Sequence, residues 1–160
     1  MCRLLVAPML MLLFMSASPA PERAAPFTVA LLDGRIIRSE DLAGRLVILN
    51  FWAIWCVPCR RELAEMDAFA RRQGNDRVVI FAIDVDKARA PARLKAQADA
   101  MGIPIAKTLP RGAEAYHPIR NAVPTTYIID AHGRLALAKA GAFAVGEFDR
   151  LASGLIPREY

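Results

Sequence analysis

The order of apolar and polar positions along the chain predicts an α/β domain. Two runs, Leu46–Trp52 (LVILNFW) and 78–85 (VVIFAIDV), are almost continuously apolar, which is typical of parallel strands that are covered on both faces. Over 56–73, between these runs, apolar residues recur at helical spacing, which predicts an amphipathic helix. A second helix is predicted over 91–101, because proline is favoured in a first turn and Gly102 follows the segment.

The segment before the first buried strand predicts a hairpin and a short helical turn. Residues 27–31 and 35–37 flank an Asp-Gly turn, which is a common signal for two antiparallel strands. The next segment, residues 39–44 (SEDLAG), predicts one helical turn with Ser39 as its N-terminal cap and Gly44 as its end. The chain therefore places a hairpin in front of its central strands.

The second half of the chain predicts another hairpin and a final helix. Residues 125–129 and 135–140 are predicted to be strands joined by a turn, and 145–155 carries apolar residues at helical spacing. Ahead of them the pattern is weaker, with a short apolar piece at 103–105 and a small helical stretch around 113–116. This order of elements predicts an α/β sandwich with a mixed sheet.

The first 20 residues are predicted to be a secretory signal peptide or an N-terminal membrane anchor. Arg3 precedes the apolar run 4–15, and small residues follow that run. The run is too short to cross a bilayer core of about 30 Å as a helix. If it is not cleaved, it could extend to residue 20 and act as a tether. Residues 21–26 are then predicted to be a flexible leader, and 27–160 to form the folded domain.

Composition and charge narrow the classes of function. The chain has 160 residues and a net charge of +5, but its basic residues are scattered along the sequence. A nucleic-acid surface would need clustered basic residues with interleaved aromatic ones, so no nucleic-acid partner is predicted. Because Cys2 lies in the predicted signal segment, the exported domain holds two thiols, Cys56 and Cys59. A bridge between them would close too short a loop to stabilise the fold much, which argues against a structural disulfide.

The two cysteines stand where the first buried strand runs into the first helix (WCVPC). Free N–H groups and the helix dipole favour an anion at that point, so Cys56 is predicted to ionise more easily than a free cysteine. Cys59 lies one turn further on the same side and is predicted to be shielded, whereas Cys56 is predicted to be exposed. An exposed attacking thiolate with a shielded resolving thiol is what two-step thiol–disulfide exchange requires.

A metal site is the other use of such a pair. A structural zinc site takes four ligands. Beyond the cysteines, the good candidates are His117 and His132, and no spacing brings them to the pair. No metal is therefore predicted. A copper(I)-binding or metallochaperone module on the same fold remains the alternative function.

Two stretches of the sequence carry a family resemblance. LVILNFWAIWCVPCRREL, with AVPTTYIIDAHGR downstream, resembles the thioredoxin superfamily, and within it the TlpA/ResA-like branch of periplasmic or membrane-tethered thiol–disulfide oxidoreductases. The leading segment FTVALLDGRIIRSEDLAGRLVILNFW also resembles that branch. The resemblance covers nearly everything from Phe27 onward. It implies a thioredoxin-like three-layer sandwich with a mixed sheet and an added N-terminal β-hairpin.

The resemblance also implies roles for individual residues. Cys56 matches the attacking cysteine, Cys59 the resolving cysteine, and Pro124 a cis-proline that lies beside them. The residues that the resemblance places at the substrate surface are Trp55, Val57, Pro58, Val123 and Pro124.

One position departs from the cytoplasmic thioredoxins. They carry a buried aspartate on the strand before the motif, which takes the proton of the resolving cysteine, whereas this chain has Asn50, which cannot act as a base. Glu62, one helical turn after Cys59, matches an acidic residue that ResA-like members use beside the pair. A partly desolvated carboxylate there would have a raised pKa and could move the proton. The alternative is a solvated acid of the first turn that pairs with arginine.

The residues between the cysteines favour a reductant. Val57 and Pro58 supply no charge or histidine, whereas strong oxidants depend on a heavily stabilised reduced form. No cofactor is expected besides the redox-active disulfide Cys56–Cys59. The resemblance implies periplasmic protein disulfides as substrates, of the cytochrome c maturation or copper-site assembly type. It also implies a membrane thiol carrier as the electron donor, and contact with the membrane only through the possible N-terminal anchor.

Overall fold

The computed structural model describes residues 22–74, 76–86 and 91–156. The predicted signal or anchor segment, residues 1–20, and with it Cys2, lies outside the described residues. Within the three described ranges, no helix has the length and the apolar character needed to cross a membrane.

Within the described residues, seven strands form one mixed sheet. In chain order the strands are β1 (Thr28–Leu31), β2 (Ile36–Arg38), β3 (Leu46–Trp52), β4 (Val78–Asp84), β5 (Ile105–Arg111), β6 (Thr125–Ile129) and β7 (Leu135–Ala140). The helices are α1 (Val57–Gln73), α2 (Pro91–Ala100) and α3 (Glu147–Ser153), and two short 3₁₀ segments span Ser39–Leu42 and Ile119–Asn121. Across the sheet the order is β2-β1-β5-β4-β3-β6-β7.

Strand β3 is the strand that leads into the candidate site. It pairs in parallel with β4 along its whole length and antiparallel with β6 on its other side. Every residue of β3 is buried, which explains the continuous apolar run in the sequence. The β1–β2 pair is antiparallel and joins the sheet through β5. The predicted mixed sheet and added N-terminal hairpin are confirmed.

Each face of the sheet carries its own apolar cluster. One face packs against the helices and includes Leu63, Phe69 and Phe148, with the rings of Phe69 and Phe148 edge-to-face at a centroid distance of 5.3 Å. On the other face, residues such as Phe27 and Tyr116 cover the strands. Within the described ranges this second cover is built from turns and a 3₁₀ segment, so only one face is covered by helices.

The sequence does not predict β5 as a strand. It predicts only a short apolar piece at 103–105, whereas the strand runs over Ile105–Arg111. Of its seven residues only Ile105, Ala106 and Leu109 are buried. Its parallel pairing with β4 covers two residue pairs, and its other partner is β1, which is distant in sequence. Because most of the strand is exposed, its sequence has no clear pattern of apolar residues from which a strand could be predicted.

Two predicted helical features differ in detail. The expected helical stretch around 113–116 is a turn in which the N–H of Tyr116 donates to the carbonyl of Gly112 (2.8 Å). Gly112 has a positive φ, and a Cβ there would lie 2.8 Å from the Cβ of Phe27, so only glycine fits. Ser39 begins its 3₁₀ segment but does not cap it, because its hydroxyl accepts the N–H of Phe27 (3.1 Å). The hydroxyl therefore ties β1 to the end of β2.

Residues 22–26 differ from the predicted flexible leader. Arg23 forms an antiparallel bridge with Arg134, and the N–H of Leu135 donates to the carbonyl of Glu22 (3.1 Å). Backbone N–H and C=O groups at the start of the edge strand β7 need hydrogen-bond partners, and residues 22–26 supply them. The ordered domain therefore begins before residue 27.

Leu63→Ala is expected to lower the free energy of unfolding by about 3 kcal/mol, because it removes a fully buried side chain and leaves a cavity between α1 and the sheet. Urea unfolding measures the loss. The matched control is Leu151→Ala on α3, where the side chain is 42% exposed and the loss should stay below about 1 kcal/mol. Equal losses in the two variants would contradict the central position of Leu63 in the core.

Candidate redox-active site

The candidate site begins where β3 passes into α1. Cys56 caps the helix with an extended backbone (φ −79°, ψ 99°). Its N–H donates to the carbonyl of Ala53 (3.1 Å), and its carbonyl accepts the N–H of Arg60 (3.2 Å). Pro58 lies in the first turn, where a backbone N–H would have no partner within the helix, so proline costs no hydrogen bond there. The local sequence therefore starts the helix directly after Cys56.

Cys56 and Cys59 form a disulfide in this structure. Their Cα atoms are 5.3 Å apart, and the N–H of Cys59 donates to Sγ of Cys56 (3.2 Å). The sulfur of the capping residue thus satisfies one of the N–H groups that a helix start leaves free. The prediction that the two sulfurs meet at a helix start is confirmed.

The exposure of the two cysteines differs in part from the prediction. Cys59 is fully buried, as predicted, but Cys56 is only 3% exposed. The expectation of an exposed Cys56 is therefore wrong for the disulfide form, because the bond turns its sulfur towards the buried Cys59. The exposed side chains here are the neighbours Trp55 (67%) and Val57 (64%). A chain that approaches the disulfide meets these two apolar side chains.

Asp86 holds the indole of Trp55, and the sequence analysis does not identify this contact. The Nε1–H of Trp55 donates to Oδ1 of Asp86 (2.9 Å), and the N–H of Asp86 donates to Oδ1 of Asp84 (3.1 Å). Strands β3 and β4 run in parallel with Trp52 opposite Asp84, so the segment after β4 reaches the edge of the sheet that carries the cysteines. In the sequence, Asp86 directly follows the predicted buried strand 78–85, and this position was the feature that could have indicated the contact.

The peptide bond between Val123 and Pro124 is cis, which confirms the prediction. The carbonyl of Pro124 accepts the N–H of Gly141 (2.8 Å), so the segment is tied to the end of β7. The hydroxyl of Thr125 accepts the N–H of Ile119 (3.2 Å), which fixes the turn that precedes the proline. Val123 packs against the apolar cluster that contains both cysteines. Val123 therefore lies on the same side of the sheet as the disulfide, and Pro124 follows it through the cis peptide bond.

Glu62, one helical turn after Cys59, is buried with only 3% of its surface exposed. Its Oε1 accepts hydrogen bonds from Nδ2 of Asn50 (2.8 Å) and from the hydroxyl of Thr126 (3.0 Å). Its Oε2 accepts the N–H of Phe143 (3.0 Å). Among the described residues no arginine pairs with this carboxylate, so the alternative of a solvated acid paired with arginine is wrong.

Burial raises the pKa of Glu62 above the ordinary range of a glutamate. The hydrogen bonds from Phe143, Thr126 and Asn50 and the positive charge of Lys139 favour the ionised form and act in the opposite direction, but desolvation is the largest effect. The predicted raised pKa is confirmed in direction. A carboxyl group of this kind can take up and return a proton closer to neutral pH than an exposed one.

Sequence reasoning missed two of the three groups that hold Glu62. Thr126 lies in the fully buried strand β6, and its hydroxyl hydrogen-bonds to both Asn50 and Glu62. A hydroxyl residue in a buried strand was a usable signal. Phe143 contributes only its backbone N–H, which no residue type encodes. That contact depends on the path of the loop after β7.

Within the described ranges, no three His, Cys, Asp or Glu side chains come together in a way that could hold a metal ion. His117 and His132 are both exposed. The copper(I) alternative and the absence of a metal both stay predictions.

Comparison with known proteins relates this geometry to a family. Residues 20–138 match the AhpC/TSA family. The thiol-disulfide oxidoreductase ResA of Bacillus cereus is 30% identical over 117 residues, which are 71% of this chain and 65% of ResA. The chain therefore spans slightly less than two thirds of the length of that relative.

Two solved structures have the same fold. A thiol:disulfide interchange protein of the thioredoxin family from Chlorobium tepidum superposes with a TM-score of 0.69 at 26% identity, over 87% of this chain and 99% of that one. The exposed lipoprotein thioredoxin Etrx1 of Streptococcus pneumoniae superposes with a TM-score of 0.63 at 27% identity, over 82% of this chain and 100% of its own. The thioredoxin-like fold and the resemblance to ResA are confirmed.

The raised pKa of Glu62 predicts how stability changes with pH. Between the ordinary glutamate pKa and the raised one, the folded state binds more protons than the unfolded state, so stability falls as pH rises through this window. Glu62→Gln removes this ionisation. Its free energy of unfolding should therefore rise relative to wild type as the pH increases from about 4 to about 8.

Urea unfolding at several pH values measures this difference, in which the titration of all other groups cancels. Glu65→Gln, one turn further along α1 at a partly exposed position, is the matched control for replacing a glutamate of this helix by glutamine. A constant difference between wild type and Glu62→Gln across the pH range would contradict the raised pKa.

Proposed function

The chain belongs to the AhpC/TSA family and has the fold and the disulfide of a thiol–disulfide oxidoreductase, and from this we propose that it reduces disulfide bonds of periplasmic proteins through Cys56 and Cys59. The class of enzyme is the one that the sequence predicts. The observation that carries the proposal is the cysteine pair at the start of α1, where the N–H of Cys59 already points at Sγ of Cys56.

The proposed reaction transfers two electrons to the substrate. The thiolate of Cys56 attacks one sulfur of the substrate disulfide, forms a mixed disulfide and releases the other substrate sulfur as a thiolate. Cys59 then loses its proton, and its thiolate attacks Sγ of Cys56. The mixed disulfide breaks, the second substrate sulfur leaves as a thiolate, and the Cys56–Cys59 disulfide forms. In the reduced protein, the N–H of Cys59 would stabilise the thiolate of Cys56.

Glu62 is proposed to accept the proton of Cys59. It lies one helical turn after Cys59, it is buried, and burial raises its pKa. Asn50, which stands where cytoplasmic thioredoxins carry an aspartate, donates to Glu62 and cannot take this role itself. When the disulfide is reduced again, Cys59 leaves as a thiolate and takes the proton back from Glu62, so the carboxyl group serves both halves of the cycle.

Substrate chains are proposed to dock between the helix start and the cis-proline. Trp55 and Val57 are the exposed apolar side chains beside the disulfide, with Pro58 next along the first turn. Val123 and Pro124 lie on the opposite side of the proposed docking surface, where backbone groups of an extended segment can pair with a substrate chain.

The direction of the reaction and its partners follow from the resemblance and from the local chemistry. No charged or histidine side chain lies between the cysteines to stabilise the reduced form strongly, which favours a reductant. ResA is a thiol-disulfide oxidoreductase by name. On the sequence resemblance, the substrates are proposed to be proteins of the cytochrome c maturation or copper-site assembly type. A membrane thiol carrier would supply the electrons, and the Cys56–Cys59 disulfide would be the sole redox group.

The proposed place of action is outside the cytoplasm. The first 20 residues have the pattern of a secretory signal or an anchor, and one structural relative is an exposed lipoprotein. An oxidising space also supplies the disulfide substrates that a reductant of this kind needs.

Cys59→Ala is expected to trap substrates. Without the resolving thiol, the mixed disulfide on Cys56 persists, so non-reducing electrophoresis of cell extracts should show adducts that disappear on treatment with dithiothreitol. Mass spectrometry of the adducts would identify the substrate proteins. Cys56→Ser is the matched control, since it removes the attacking sulfur and should give no adducts and nearly no disulfide reductase activity.

Adducts that form equally in the Cys56→Ser control, or an absence of adducts in Cys59→Ala, would contradict the proposed exchange. Copper(I) titration of the reduced wild type distinguishes the alternative function. Tight binding of copper(I) combined with full binding of a partner protein by Cys56→Ser would point to a metal-handling or binding module instead of a reductase.

A further inference from the structure

A row of polar side chains crosses three strands below Glu62. Asn50 on β3 pairs with Thr126 on β6, and Thr126 pairs with Lys139 on β7. Residues directly opposite each other in a sheet point to the same face, so the three side chains form one line that ends at the edge strand. Asn50 and Thr126 both donate to Oε1 of Glu62. Lys139 is the charged end of the row.

Lys139 also contacts the loop that supplies the third hydrogen bond to Glu62. Its Nζ donates to the carbonyl of Ala142 (3.3 Å) and lies 5.1 Å from the centroid of the Phe143 ring. Phe143 is the residue whose N–H donates to Oε2 of Glu62 (3.0 Å). The carbonyl of Ala142 and the N–H of Phe143 belong to the same peptide unit. Lys139 therefore binds the oxygen of the unit whose N–H binds the carboxylate.

The rest of this loop is fixed at its two ends. The N–H of Gly141 donates to the carbonyl of Pro124 (2.8 Å), and the N–H of Ala144 donates to Oε2 of Glu147 (2.7 Å). Between these anchors, Nζ of Lys139 contacts the Ala142 carbonyl and the Phe143 ring, and the same ring packs against Phe148 at a centroid distance of 5.6 Å. Lys139 and the core packing of Phe143 therefore together position the Phe143 N–H.

The charges around Glu62 single out the same lysine. From β3 and β6 the facing groups, Asn50 and Thr126, are neutral, and on α1 the neighbouring ionisable groups are Cys59, here in the disulfide, and the partly exposed Glu65. From β7 the positive charge of Lys139 acts on Glu62 and favours the carboxylate. On α3, Glu147 is engaged by the N–H of Ala144 at the end of the loop.

We propose that Lys139 is a positioning residue for Glu62, which keeps the carboxylate in its ionised, proton-accepting form by holding the 141–144 loop against it and by placing a positive charge at the end of the polar row. The functional meaning of this inference rests on the proposed role of Glu62 in the reductase reaction. Lys139 touches neither sulfur in this account and acts only through Glu62 and the Phe143 N–H.

The amide proton of Phe143 provides a direct readout, because its hydrogen bond to Glu62 changes when the carboxylate becomes protonated. The experiment follows this amide by NMR during a pH titration of the oxidised full chain. In Glu62→Gln the titration of this amide should vanish, which assigns the midpoint to Glu62. The variants compared are Lys139→Met, Lys139→Gln and Lys139→Arg, with the exposed Lys107→Met on β5 as the matched control.

Loss of the charge should move the midpoint upwards by roughly half a pH unit in Lys139→Met and in Lys139→Gln, a modest shift because the lysine is only half-buried. Lys139→Arg and Lys107→Met should keep the wild-type midpoint. The inference is overturned if Lys139→Met and Lys139→Gln titrate as the wild type does, or if Lys139→Arg shifts as far as they do.

Enzyme assays then separate this inference from the proposed function. If Glu62 accepts the proton of Cys59, reductase activity should rise with pH through the Glu62 midpoint, and this limb should move upwards in Lys139→Met by the same amount as the NMR midpoint. An NMR shift without a shift of the activity profile would leave Lys139 as the residue that controls Glu62 and would refute the role of Glu62 in the reaction. The titration itself needs no activity, so the two hypotheses fail separately.

Discussion

A carboxylate that is buried away from water needs hydrogen-bond donors from the protein. The positions of the donors to Glu62 explain much of the structure of this site. The donors come from β3, from β6 and from the loop after β7, while Glu62 itself belongs to α1. One buried side chain therefore links the helix that carries the disulfide to two central strands and to the loop that follows the edge strand. Any shift of α1 relative to the sheet would leave a buried charge without its partners, which is among the most costly changes in a protein interior.

In the proposed reaction, the same helix carries the groups for electron transfer and for proton transfer at separate positions. At its start, the N–H of Cys59 and the sulfur of Cys56 bring the redox pair together, and one turn later the carboxylate lies within the core. Beside the disulfide the apolar side chains of Trp55 and Val57 are exposed, and Asp86, from the segment after β4, accepts a hydrogen bond from Trp55. The arrangement keeps the carboxyl group out of solvent, while these two apolar side chains are exposed beside the disulfide.

Much of the fold can be predicted from the sequence because β3 and β4 are buried on both faces and leave unbroken apolar runs. Strand β5 escapes prediction because it is mostly exposed and is held by partners far away in the sequence. Ser39 has the residue type of a helix cap, but its hydroxyl binds the N–H of Phe27 on another element. In each of these cases a contact between distant segments outweighs the local preference.

By itself, the sequence determined the chemistry of the site: two thiols three residues apart at a helix start, an asparagine in place of a buried acid, and a glutamate one turn beyond the pair. The two thiols and their spacing are local features that the residues show directly, whereas the significance of Asn50 and Glu62 came from the resemblance to thioredoxin and ResA-like proteins. Tertiary structure alone decided that Cys56 is covered in the disulfide form, that Thr126 and the Phe143 N–H hold Glu62, and that Lys139 stands at the end of their row. Thr126 and Phe143 lie 64 and 81 residues from Glu62, and their meeting depends on strand register and loop path, which no local pattern encodes.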